Sequence, residues 1–227
     1  MNPQVTPLGR STSAVSSTNK VLKNTYMLLS MTLLFSAVAA GVSMALNMPY
    51  IVSLGTSLAA LVLLWFVVPR TAHSAAGIFV VFAVTGLLGF GLGPMLNHYL
   101  QLPNGPQLVM SAMGITGAVF LGLSAYVLVT RRNFSFMGGF LMTGILVAFL
   151  AALVSVAAAA FGYPMPALSL AVSAMFALLM SGMILWQTSE IIHGGETNYV
   201  LATVSLYVAI YNLFTSLLQL LGFVSDD

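Results

Sequence analysis

The chain has 227 residues, 59% of them apolar and only 4% charged, with a formal charge of +2 and no cysteine. A soluble domain of that size carries about 25% charged residues, so six basic and four acidic side chains cannot build a water-facing surface and the chain is an integral membrane protein. The positive charge is too small and too scattered for a nucleic-acid footprint, and the absence of cysteine removes disulfides and thiol chemistry from consideration.

Residues 1–23 are rich in Ser, Thr and Asn and carry Arg10, Lys20 and Lys23. They read as a flexible cytoplasmic tail, leaving 24–227 as the membrane domain. Seven apolar runs follow: Tyr26–Leu46, Ile51–Val68, Ala75–Gly93, Leu108–Thr130, Phe136–Phe161, Ala167–Trp186 and Val200–Val224. Each is about long enough to cross a bilayer as a helix. Pro69-Arg70, the stretch from Pro94 to Pro106, Tyr163-Pro164-Met165-Pro166 and His193-Gly194-Gly195-Glu196 punctuate them. Ala37-Val38-Ala39 looks like a signal-peptidase site, but its run continues to spanning length behind a long polar leader and is read as a span. No run alternates polar and apolar residues as a barrel strand must. The expected fold is all-α: a polytopic membrane protein of seven helices.

All six basic residues fall in the tail, the second-to-third loop (Arg70) and the fourth-to-fifth loop (Arg131, Arg132). The positive-inside rule then puts the amino terminus in the cytoplasm and the acidic end, Asp226-Asp227, outside. Gly86, Gly89 and Gly93 lie on the third helix, and the pairs Gly89/Gly93 and, on the fourth, Ala118/Gly122 have the small-residue spacing that lets helices approach closely in lipid. Gly89-Phe90-Gly91-Leu92-Gly93-Pro94 superficially suggests a nucleotide loop, but it lies within a span and follows no strand, so no cofactor is implied.

Polar chemistry concentrates between Ser181 and Gly222. Glu190 is the first acidic residue of the chain. Glu190 and His193 share a helix face at the cytoplasmic end of the sixth helix, and Glu196 follows Gly194-Gly195, which reads as the helix stop. Two readings stay open: a proton- or cation-sensitive gate, since His titrates near neutral pH, or a solvated loop. His73, His98 and His193 sit in three different loops on opposite sides, so they cannot form a zinc site. No aspartate lies inside a span and no helix interior offers a histidine to Ser124, which argues against intramembrane proteolysis. Gln187, Asn212 and Gln219 are neutral polar residues in or near the last two helices, and Tyr207 and Tyr211 share one face of the seventh. They suit interhelical hydrogen bonds or the lining of a narrow wet path.

Several stretches resemble the bacterial branch of the Bax-inhibitor-1 (transmembrane Bax-inhibitor motif) superfamily. They are His193-Gly194-Gly195-Glu196-Thr197-Asn198-Tyr199, Ala202 to Val208 with Tyr211-Asn212, Asn19 to Tyr26, Gly93 to Asn97 and Ser124 to Leu128. The resemblance runs from about residue 19 to 223. It implies a seven-helix inner-membrane protein with the seventh helix central, acting as substrate and negative modulator of the membrane-anchored, ATP-dependent protease FtsH. Some relatives leak calcium through a paired-aspartate pH sensor. Aligned on Leu185-Trp186-Gln187 and Leu206-Tyr207-Val208-Ala209, those positions here are Gln187 and Ala209. The expected function is therefore an interaction protein and not an enzyme, with a cation (calcium or proton) leak channel of the Bax-inhibitor-1 type, its pH sensor degenerate, as the alternative.

Overall fold

The computed structural model describes residues 8–225, and over that range the chain folds entirely into helices and short connections. Helix α1 is Leu8–Ala45. Helix α2 begins at Tyr50 and runs to Thr71, with a π-helical turn at Leu63–Val67. The others are α3 (Ala76–Leu100), α4 (Gly105–Thr130), α5 (Gly138–Ala160, after a 3-10 turn at Ser135–Met137), α6 (Pro166–His193) and α7 (Tyr199–Ser225). Seven of these segments are long and apolar enough to cross a membrane, the first from Thr18 to Ala45. The boundary read at residue 23 is one of composition, since α1 begins at Leu8; residues 1–7 of the expected tail and Asp226-Asp227 lie outside the described residues.

Two prolines read as stops lie inside helices. Helix α2 passes Pro69: its turn widens just before the proline, with the Val68 N–H bonding to the Leu63 carbonyl. Helix α3 passes Pro94 and continues to Leu100. A proline removes one backbone bond, and a neighbouring helix in lipid often supplies polar groups at such a break. Here Ser53 of α2 donates to the Gly91 carbonyl at 2.6 Å, beside the carbonyl that Pro94 leaves free.

Helix α7 is central. It packs against α6, α1, α4 and α3, and 56% of its 18-residue apolar window is buried against 11–50% of the same window in the others. The closest seam is between α1 and α3. Thr25, Thr32, Ser36 and Ser43 form a buried polar stripe along α1. The three expected glycines of α3 meet α1: a Cβ at Gly89 would overlap the backbone and hydroxyl of Ser36, one at Gly93 would overlap Ser43, and one at Gly86 would lie 2.7 Å from the Phe35 ring. With no side chain between them the two backbones approach closely. The expectation for α4 fails. Ala118 is exposed and nothing lies within 4 Å of a Cβ at Gly122. Helix α4 buries the opposite face, Leu108, Ala112, Thr116, Ser124 and Val127. Helix α5 rests on α6 and presents most of its surface outward.

Candidate functional site

The sequence-expected residues separate into two groups, one at the basic end of the bundle and one in its middle. At the basic end, Gly194 adopts φ +79 and closes α6. The N–H groups of Gly195 and Glu196 both bond to the Glu190 carbonyl, at 2.9 and 3.1 Å. The αL glycine lets the chain reverse, as expected. The Glu190 carboxylate folds over Gly195, where a Cβ would collide with it.

His193 faces two carbonyl oxygens. Its Nδ1 lies 2.9 Å from the Ser189 carbonyl and its Nε2 3.1 Å from the Arg131 carbonyl in the α4–α5 loop. A neutral imidazole has one N–H and donates to only one of them. The Phe134 N–H donates to Ser189 Oγ at 2.9 Å, so α6 holds the α4–α5 loop at two points. Glu196 Oε1 accepts the Asn198 N–H at 2.7 Å. Asn198 then performs two tasks. Its Oδ1 accepts the N–H groups of Val200 and Leu201, at 2.8 and 3.3 Å, and caps α7. Its Nδ2 donates to the Ala72 carbonyl at 2.9 Å and lies 3.3 Å from His73 Nδ1, tying in the α2–α3 loop. Three loops are thus pinned together around the α6–α7 turn.

The middle group lies about 13 Å further along α7, nine residues at 1.5 Å each. Tyr207 is fully enclosed at 1% exposure. Its hydroxyl donates to the Thr85 carbonyl of α3 at 3.2 Å. Its single hydrogen is thereby used, so Ser36 of α1 is the donor in the 2.5 Å contact between the two hydroxyls. Three helices meet at one oxygen. The Tyr211 ring stacks on Tyr207 with centroids 6.3 Å apart.

The remaining residues have local roles. Asn212 Nδ2 donates to the Val208 carbonyl of its own helix at 2.8 Å. Gln219 accepts from Ser173 of α6 at 2.5 Å. The Gln187 side chain is buried and makes no hydrogen bond among the described residues. Ala209 is buried on the facing helix α7. Neither position supplies a titratable group. Ser124 is buried within 3.5 Å of the Thr188 hydroxyl, consistent with a packing role. Among the described residues no three His, Cys, Asp or Glu side chains converge as metal ligands.

Sequence reasoning missed Ser36, Thr85, Ser189 and the two tasks of Asn198. Spacing carried a usable signal for the first: Thr25, Thr32, Ser36 and Ser43 are 7, 4 and 7 residues apart, a single stripe on a helix.

Tyr207→Phe leaves the Thr85 carbonyl without its side-chain partner. Ser36 can turn back to its own helix. Interhelical hydrogen bonds in membrane proteins contribute about 0.6–1.7 kcal/mol. The expected loss is about 1 kcal/mol, visible as a lower unfolding temperature in detergent, while Tyr211→Phe changes it less.

Residues 18–226 match the family described as Inhibitor of apoptosis-promoting Bax1. Over 215 residues the chain is 51% identical to the modulator of FtsH protease YccA of Escherichia coli K12, covering 95% of each protein. It is 47% identical over 225 residues to a membrane protein of Vibrio cholerae, covering 98% of this chain and 99% of that one. A Pseudomonas aeruginosa protein is 49% identical over 207 residues, 91% of this chain and 90% of its own length.

Proposed function

We propose that this chain, which belongs to the Bax1-inhibitor family, is an inner-membrane interaction protein that binds an FtsH-type membrane protease and restrains it, being itself one of its substrates. The observation that carries the reading is the 51% identity with the Escherichia coli modulator over 95% of both chains. The basic end of the bundle faces the cytoplasm, following the positive-inside rule. There the candidate residues clamp loops to one another. A bundle closed by backbone-to-backbone glycine contacts resists being pulled apart, so it occupies the protease while yielding to it slowly.

Two measurements test this. The native protein, purified from membranes with a mild detergent, is expected to bring the protease with it. Raising its level in cells is expected to lengthen the half-life of a second membrane substrate of that protease at least about twofold. A chain that comes down alone and leaves that half-life unchanged sinks the reading.

A further inference from the structure

The end of the bundle opposite the basic loops holds a cavity of about 600 Å³. It lies where α1 ends, α2 begins and the last turn of α3 emerges, at the ends of three spans and so at the level of the membrane–water interface. Met48 and Pro94 form part of its wall, and its polar groups are the side chains of Asn47, Tyr50, Asn97, His98 and Gln101. The size falls within the range of about 300–1,000 Å³ typical of small-ligand sites.

The chemistry of this wall is selective. Among the described residues it contains no Lys, Arg, Asp or Glu. A site for an anionic lipid headgroup is built from clustered Lys and Arg, and a site for a bare cation from carboxylates and carbonyls. This wall has neither cluster, yet it offers both donors and acceptors. Asn97 Nδ2 gives one of its two hydrogens to the Met44 carbonyl at 3.2 Å, and its Oδ1 is an acceptor. Gln101 and His98 are exposed on the rim and supply donors, and the Tyr50 hydroxyl serves either way. A zwitterionic headgroup uses both sets: its ammonium meets the carbonyl and phenol oxygens, and its phosphate meets the amide and imidazole N–H groups. Its position puts the mouth level with lipid headgroups, and Met48 and Pro94 suit the glycerol and upper acyl carbons behind such a headgroup.

We infer that this cavity is a binding site for the zwitterionic phosphoethanolamine headgroup of a membrane phospholipid, a role independent of any contact with a protease.

The test uses the purified full-length protein in detergent, with thermal unfolding measured after adding phosphatidylethanolamine, phosphatidylglycerol or soluble phosphoethanolamine. A ligand that binds only the folded state raises the unfolding temperature. Phosphatidylethanolamine is expected to raise it by at least about 3 °C, and phosphatidylglycerol by less than a third of that. The double variant His98→Ala, Gln101→Ala alters only exposed side chains. It is expected to unfold within about 1 °C of the wild type without lipid and to lose the phosphatidylethanolamine shift. Gln101→Arg, which adds a cation to the rim, is expected to move the preference toward phosphatidylglycerol. Native mass spectrometry of the same samples counts retained phospholipid directly, so a variant of reduced stability still gives an answer. Equal shifts from the two lipids in the wild type, or an undiminished shift and lipid count in the double variant, overturn the inference. A full shift from soluble phosphoethanolamine alone overturns the lipid as its source.

Discussion

Gly89→Ala is expected to lower the unfolding temperature of the purified protein by about 5–10 °C, whereas Gly122→Ala leaves it unchanged or raises it. Both residues belong to small-residue pairs four apart, and nothing in their local sequence separates them. In the folded chain a Cβ at Gly89 would overlap the main-chain oxygen and Cα of Ser36. Backbone cannot rotate away as a side-chain tip can, so α1 and α3 must separate. Overpacking of this kind costs about 1–3 kcal/mol. The displacement also pulls the Ser36 hydroxyl from Tyr207, worth about 1 kcal/mol more. For a domain of about 200 residues, each kcal/mol lowers the midpoint by about 2–4 °C. At Gly122 nothing lies within 4 Å of the new methyl, and alanine favours the helix over glycine by up to about 1 kcal/mol. Thermal unfolding of the two variants side by side decides the matter; a Gly89→Ala protein as stable as the wild type would refute the α1–α3 seam.

Asn198→Ala is expected to destabilise the protein by about 2–3 kcal/mol and to loosen the loops at the basic end. The cap on α7 contributes about 0.5–2 kcal/mol, and the bond from Nδ2 to the Ala72 carbonyl about 1 kcal/mol. Asn198→Asp separates the two tasks: it keeps the oxygen that caps α7 and removes the donor to Ala72. Its loss should therefore be about half as large. Limited trypsin digestion reports on the loops, because Arg70 lies beside the α2–α3 turn and Arg131-Arg132 lie in the α4–α5 loop. Faster cleavage at Arg70 is expected in both variants. Cleavage there at the wild-type rate in Asn198→Ala would show that the asparagine does not hold the loop.

The seven spans were legible because a run of about 20 apolar residues has few other uses. What each span buries was not. In lipid the outward face is as apolar as the inward one, so the alternation that exposes a soluble helix's core face is missing. The informative residues are the small and weakly polar ones, and these are ambiguous. Gly89 faces a neighbour while Gly122 faces outward, and the difference arises from where α4 sits in the bundle. Pro69 and Pro94 were read as helix stops because they are so in water; the π turn before one and Ser53 beside the other make them tolerable here. Glu190, His193 and Glu196 stood out by charge alone, and the Gly194-Gly195 stop was correctly read. Their partners were backbone carbonyls and N–H groups, which no side-chain pattern announces. Ser36 and Thr85 were hidden for a related reason: Tyr207 finds them only once three helices converge.

The placement of α1 has a mechanical consequence. The first span packs one face against α3, α6 and α7 and leaves the other, with Met27, Leu34 and Val38, exposed. A force drawing the chain out by its amino-terminal end therefore loads the glycine seam along its length and the Ser36–Tyr207 contact at the same moment. Bonds loaded in parallel yield together or hold together, whereas those at the edge of a peripheral helix such as α5 peel one after another. Traction on α1 thus meets a single high barrier, and once that barrier is crossed the central helix has lost one of its walls.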